Sequence, residues 1–403
     1  MRVPKQGSAC TPPARSFTVR VSPNRDEEPV VTVLLKNCHQ YRVGFYQHLR
    51  KIFTEKGITL RVVVGSGLAE DVAKGDTAEM PWAETRAFTT VKVAGKELLW
   101  QPGFDLIRDS DLIITEQASK QIFNMLLAAV PERVGTRFAF WGHGRNFQSS
   151  IEGSVGEGLK RWMTRRADWF FSYNDLSTEA AIDFGMDPDR VTPVMNSTDT
   201  VHIRNVRSTL ASNTSESIRE ELGLGDGPVA LYLGGIYGHK RPQFLVDTAT
   251  RIRELVPDFQ MLVIGSGSQA HIVEEAAQRH SWFHHVGACY GDERVALAQV
   301  ASIQLMPGLV GLNIVDAFAM GIPTVTTSID YHSPEVEYLI HDVNGVFTPA
   351  NATPDEFAHA AADLLTDEPR LARLQRGAEQ SGRDLSVEEM AQRFADGVVQ
   401  ALL

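Results

Sequence analysis

Short, nearly uninterrupted runs of β-branched and other apolar residues recur along this chain, each followed by a glycine-rich or polar turn and then a stretch with helical spacing. Val30–Lys36, Thr59–Val64, Asp111–Thr115, Arg137–Gly142 and Trp169–Tyr173 form a first series. Val229–Leu233, Gln260–Ile264, His284–Val286, Ile303–Met306 and Thr324–Thr327 form a second. A strand that is apolar on both faces must be covered on both, so strands of this kind separated by helices predict parallel sheets sandwiched by helices. The fold class is therefore α/β, with two Rossmann-like domains, one per series.

The 403 residues exceed one ordinary core and suit this division. Residues 1–28, rich in Pro, Ser, Arg and acids without apolar periodicity, are expected to be a tail. The first domain then spans 29–200, and a linker is expected at 201–227, within the polar stretch Thr198–Gly227. The second domain spans 228–385. Ser386 with Glu389 three residues on, then Met390, Phe394 and Val398 at helical spacing, predicts a terminal helix over 386–403.

Composition excludes several function classes. A formal net charge of −11 argues against binding nucleic acid, which would reward a basic surface. Cys10, Cys38 and Cys289 are scattered and form neither a disulfide framework nor a CxxC metal site. No cofactor is expected. No apolar run approaches the roughly 18 residues that span a bilayer, which predicts a cytoplasmic protein. The basic stretch Lys160-Arg161-Trp162-Met163-Thr164-Arg165-Arg166 leaves room for peripheral contact with an anionic membrane, although a solvated helix face is the commoner meaning.

Open parallel sheets bind ligands beyond the carboxyl ends of their strands, so the turns there matter most. After Val229–Leu233 comes Gly234-Gly235-Ile236-Tyr237-Gly238-His239-Lys240-Arg241, where glycines allow close backbone approach and Lys240 and Arg241 can neutralise phosphate. Gly265-Ser266-Gly267 is a fragment of a dinucleotide fingerprint, equally consistent with a tight packed turn. After Ile303–Met306, Gly311 opens a helix whose N–H groups favour phosphate, and Asp316 lies one turn along it, where a carboxylate can accept from sugar hydroxyls. His143, in Trp141-Gly142-His143-Gly144-Arg145 at the end of a strand, is a candidate for proton chemistry.

In this order, the Pro307–Thr327 loop-helix-strand, the Gly234–Lys240 loop, Gly265/Gly267, Gly287 and Asn344-Gly345 resemble the donor domain of family 4 retaining glycosyltransferases of the GT-B fold. The resemblance extends to Tyr41-Arg42-Val43-Gly44-Phe45-Tyr46, to the His143 segment and to Asn196-Ser197-Thr198-Asp199, and so covers most of residues 30–400. It implies two Rossmann-like domains facing across a cleft, with the terminal helix crossing back to the first. It also implies transfer of a sugar from a nucleotide diphosphate sugar to a carbohydrate or glycoconjugate acceptor, with retention and without metal.

By the same resemblance, Lys240 contacts the donor diphosphate, with Gly234, Gly235, Arg241 and Gly265 around it. The backbone of Val310, Gly311, Leu312 and Asn313 caps the phosphates, Asp316 holds the ribose, and Val286 borders the base. His143 and Lys240 carry catalysis, while Tyr41, Arg42 and Arg145 lie on the acceptor side. Two departures stand out: Gly308 occupies a position where the family has Glu, and Gly235 one where it has Arg. Glu335 and Glu337, past the next strand, are candidate replacement acids near the sugar. The departures keep two alternatives open, a nucleotide-sugar epimerase on the same scaffold and a nucleotide-sugar-binding protein without turnover.

Overall fold

The computed structural model describes residues 28–65, 77–93, 96–129, 136–145, 155–211 and 213–403, so the expected tail at 1–28 lies outside the described residues but for its last. The first sheet comprises β1 (Val30–Leu35), β2 (Thr59–Gly65), β3 (Glu84–Arg86), β6 (Leu112–Glu116), β7 (Arg137–Gly142), β8 (Trp169–Ser172) and β9 (Val191–Pro193). It is parallel throughout, in the order β3-β2-β1-β6-β7-β8-β9. Between β3 and β6 the chain makes a two-stranded antiparallel hairpin, β4 (Thr89–Val93) and β5 (Lys96–Trp100).

The second sheet comprises β10 (Val229–Leu233), β11 (Gln260–Ile264), β12 (Phe283–His285), β13 (Ile303–Met306), β14 (Thr324–Thr327) and β15 (Gly345–Thr348). It too is parallel, in the order β12-β11-β10-β13-β14-β15. The two Rossmann-like domains expected from the strand runs are thus present. Each sheet reverses its order once, between β1 and β6 and between β10 and β13, which marks the ligand-binding edge of each.

Strand alternation explains the apolar runs. On β1, Val31, Val33 and Leu35 face one core with Leu112, Ile114, Ala139 and Trp141, whereas Leu34 faces the other with Val63, Ile113, Phe138 and Phe140. The terminal helix, Val387–Leu402, belongs to the first of these cores through Val387, Met390, Ala391, Phe394, Ala395 and Val398. Phe394 stacks on Phe171 at 4.3 Å and meets Trp141 and Phe45 edge-on. Ser386 accepts from the Glu389 N–H at 3.3 Å, which starts this helix as its sequence suggests. The helix therefore leaves the second domain and completes the core of the first.

The stretch 201–227 differs from the expected linker: it carries two helices, Thr200–Thr209 and Thr214–Leu222. Asp199 caps the first by accepting from the His202 N–H at 3.0 Å, and Gly223, at φ 68°, ends the second. Ile203, Val206 and Ile218 bury these helices against the second sheet, so packing rather than local pattern makes them helical.

Candidate active site

The glycine-rich loop after β10 is built by close backbone approach. A Cβ on Gly265 would overlap the Gly234 carbonyl, and one on Gly267 would overlap that of Ile236. Ile236 N–H donates to Ser266 O at 2.9 Å, and Gly265 N–H donates to Gly287 O at 2.7 Å. The Gly265-Ser266-Gly267 turn thus acts as the packed floor of the loop. Gly235 faces the ring of Tyr237, 3.0 Å from where its Cβ would stand.

The chain then makes a tight turn over Gly238–Lys240 and buries Lys240, which is 5% exposed. Its Nζ donates to Leu309 O at 2.6 Å and lies 5.9 Å from the Tyr237 ring centroid. Burial pushes the ammonium down to about 8, with the Glu335 carboxylate acting in the opposite direction. Arg241, in the left-handed region at φ 56°, donates to Pro307 O at 3.2 Å, and its guanidinium lies 4.1 Å from the Phe244 ring centroid. It secures the start of the helix Pro242–Leu255.

The loop after β13 locks against this turn. Leu309 N–H donates to His239 O at 2.8 Å, and a Cβ on Gly308 would sit 2.5 Å from the Lys240 carbonyl carbon. Position 308 therefore admits no side chain while the basic turn stands where it does. Val310 N–H donates to His332 Nδ1 at 2.9 Å, and His332 Nε2 lies 2.7 Å from Thr327 O. A carbonyl only accepts, so His332 is the Nε2–H tautomer, and burial keeps it neutral by lowering its pKa.

Gly311 N–H donates to Asn313 Oδ1 at 3.1 Å, and Asn313 Nδ2 donates to Leu233 O at 3.1 Å. Of the four backbone N–H groups expected to cap phosphate, Val310 and Gly311 are hence occupied internally. Those of Leu312 and Asn313, at the start of the helix Asn313–Ala319, have no partner among the described hydrogen bonds.

Asp316, on that helix and 5% exposed, accepts from Arg294 Nη1 at 2.8 Å, while its Oδ1 is buried without a partner. Val286, just beyond β12, donates its N–H to Val263 O at 3.1 Å and packs half-buried against the core beneath.

The first domain meets these loops through a buried chain of polar groups. Glu335, 3% exposed, accepts from Asn196 Nδ2 at 2.8 Å, and Asn196 Oδ1 accepts from Arg42 Nη2 at 2.5 Å. Arg42 lies 5.1, 4.8 and 5.7 Å from the ring centroids of Tyr41, Trp141 and Tyr173. Tyr338 donates its hydroxyl to Asn196 O at 3.2 Å across the same boundary.

His143 stands edge-on to Tyr173 at 4.2 Å with its Nδ1 buried and unpartnered, and desolvation lowers its pKa. Arg145, two residues on, is exposed. Glu337 accepts from the Asp175 and Leu176 N–H groups at 3.0 and 3.1 Å, so it caps the helix Asp175–Asp183 of the other domain with both oxygens.

The structure thus brings together Lys240, Glu335, His143, Tyr41 and Arg42 between the two domains, with Asp316 and Leu312–Asn313 further into the second domain. Nothing in the local pattern marks Arg294, His332 or Asn196 as partners, because each acts through a residue distant in the chain. In the basic stretch, Arg161 and Arg165 donate to Asp183 O and Phe184 O at 3.3 and 2.8 Å, and Arg166 lies over Trp162. Among the described residues no helix is long and apolar enough to cross a membrane.

Residues 227–367 match the family model described as Glycosyl transferases group 1. An alpha-D-kanosaminyltransferase of Streptomyces kanamyceticus is 26% identical over 170 residues, 38% of this chain and 40% of that protein, so the match spans less than half of the relative. The Anabaena HepE structure in complex with UDP superposes with a TM-score of 0.67 at 15% identity, over 91% of this chain and 99% of that one. Sucrose-phosphate synthase from Thermosynechococcus elongatus gives 0.66 at 15% identity, over 92% and 98%. At such identities the likeness concerns the fold, two Rossmann-like domains in the GT-B arrangement.

Proposed function

We propose, from the premise that residues 227–367 place this chain among the group 1 glycosyl transferases, that it moves a sugar from a nucleotide diphosphate sugar to a hydroxyl of a carbohydrate or glycoconjugate. One observation carries the reading. Lys240, two unpartnered N–H groups at Leu312 and Asn313, and the Asp316 carboxylate one turn on lie in two interlocked loops at the switch point of the second sheet. Lys240 gives one of its three N–H bonds to Leu309 O and keeps two for a diphosphate. The free Asp316 Oδ1 suits a ribose hydroxyl, with Arg294 fixing the other oxygen. The complex of the Anabaena protein with UDP supports a nucleoside diphosphate in this place.

In the proposed reaction the bond from the anomeric carbon to the diphosphate oxygen breaks while one from the acceptor oxygen forms. The acceptor proton passes to the departing diphosphate, whose charge Lys240 and the helix N–H groups stabilise without metal. Attack on the face the diphosphate leaves gives retention. His143, beside Tyr173 at the cleft, orients the acceptor near the anomeric carbon.

The test is a thermal-shift panel of UDP, GDP, ADP and dTDP and their sugar conjugates, with and without EDTA, followed by transfer assays with the donor that binds. An EDTA-insensitive shift and sugar transfer are expected. Absence of any shift at millimolar ligand refutes the donor site, conversion of the donor to its epimer without acceptor refutes transfer, and binding without turnover identifies a binding protein.

A further inference from the structure

The first sheet also has a switch point, between β1 and β6. β6 ends on Glu116, which pairs in register with Trp141 on β7, so their side chains leave the sheet on the same face. That face is the one Arg42 covers, since its guanidinium lies over Trp141. Burial raises the Glu116 carboxyl above its ordinary value, while the Lys36 N–H that donates to it and the charges of His39, Arg42 and Lys36 act in the opposite direction. Its own charge is felt at Cys38, Tyr46 and Tyr173. Glu116 therefore stands at the middle of this edge, between the loop after β1 and the strand bearing His143.

Three buried polar atoms without partners lie at the same edge: Asn37 Nδ2 in the loop after β1, Trp141 Nε1 at the end of β7, and His143 Nδ1 just beyond it. Asn37 is 9% exposed and Trp141 3%. Buried polar groups are rarely left unsatisfied, so a cluster of them at a sheet's ligand-binding edge marks where a ligand supplies the partners.

The chemistry of the set identifies the ligand class. An amide N–H, an indole N–H, a carboxylate and an imidazole mix donors with acceptors. A hydroxyl both donates and accepts and satisfies all of them, whereas a phosphate or carboxylate only accepts and would face Glu116 and Glu335. Arg42, the buried cation here, is already engaged by Asn196, Met390 and three aromatic rings.

We propose that Glu116, with Asn37 and Trp141, binds the acceptor at the β1/β6 edge and selects neutral, hydroxyl-rich acceptors over phosphorylated or carboxylated ones. This rests on the transfer reading only in naming the occupant the acceptor. The test is saturation-transfer NMR on the full chain with methyl glucoside, methyl galactoside, methyl mannoside and myo-inositol, against glucose 6-phosphate and glucuronate. It is repeated with Glu116→Gln, which keeps the shape and the acceptor for the Lys36 N–H.

The wild type is expected to bind at least one neutral polyol more tightly than either anion, and Glu116→Gln to bind it at least fivefold more weakly. Trp141→Phe, which deletes the N–H and keeps a ring, is a second variant in case the first is unstable, with a loss of about threefold expected. Nucleoside diphosphate shifts stay within twofold in both variants. Equal polyol binding in the variants, preference for the anions, or no polyol binding overturns the proposal. Failure of the nucleotide panel in the wild type counts instead against the donor site and leaves the polyol result readable.

Discussion

Replacing Lys240 with methionine should stabilise the ligand-free protein while abolishing nucleotide binding. Burial lowers this ammonium from its ordinary 10.5 to about 8. At about 1.4 kcal/mol per unit, holding it charged inside the fold at neutral pH costs about 3 kcal/mol. Methionine removes that cost but leaves Leu309 O without its donor, a loss of about 1 kcal/mol. The net expected gain at pH 7 is about 2 kcal/mol.

The sign follows from proton counts. Between about pH 8 and 10.5 the unfolded chain keeps the Lys240 proton and the folded one has released it, so wild-type stability rises with pH through that window. The advantage of Lys240→Met should therefore shrink to under about 1 kcal/mol by pH 9.5. Urea unfolding of both proteins at pH 7 and 9.5 measures this directly. A variant less stable than wild type at pH 7, or an advantage equal at both pH values, refutes the reasoning. Nucleotide affinity in the wild type should run the other way, falling as pH rises through about 8, because only the charged lysine attracts diphosphate.

Gly308→Ala should cost about 1–3 kcal/mol in urea unfolding, because the new Cβ meets the His239–Lys240 backbone, and should weaken nucleotide binding by displacing Lys240. Glu335→Gln removes the charge that favours the Lys240 ammonium, so the alkaline limb of nucleotide binding should move below that of the wild type in a pH titration. Glu337→Ala strips both acceptors from the start of the helix Asp175–Asp183 and should lower stability by about 1–2 kcal/mol, with nucleotide affinity within twofold by calorimetry. Phe394→Ala should cost about 3–5 kcal/mol and destabilise the first domain, which the terminal helix completes.

The strands most legible in the sequence are those buried on both faces: β7, β10, β11, β13 and β14 stand where their apolar runs predict. β3, β9 and the β4–β5 hairpin were not legible, because Glu84-Thr85-Arg86, Val191-Thr192-Pro193 and Thr89–Val93 are short or polar and gain their pairing from neighbours. The helices in 201–227 are illegible for a related reason, since Thr214–Leu222 buries only Ile218 and shows little apolar face.

In the site, Lys240 and Asp316 could be found because they follow apolar strands at glycine-rich turns. Their partners Leu309 and Arg294 could not, since nothing in a sequence says which distant carbonyl or guanidinium will arrive. Glu337 shows the same limit from the other side. Its place past a strand end suggested a sugar, and the fold gives it a helix terminus instead.

The glycine at 308 acquires a meaning that residue type alone does not convey. With no side chain there, the Gly238–Lys240 turn drops onto the loop after β13 and zips to it through His239 O and Leu309 N, then Lys240 Nζ and Leu309 O. That contact buries Lys240 and so lowers its pKa, and it leaves Glu335 as the carboxylate acting on it. Glu335 is held by Asn196, which is held by Arg42, so the cleft carries alternating charges, Arg42, Glu335 and Lys240, from the first domain to the second.

An arriving diphosphate would hold Lys240 charged to higher pH, adding to the action of Glu335 on the same ammonium. The proposed nucleotide site and the domain boundary thus share one carboxylate, and binding at the first is expected to alter the electrostatics of the second.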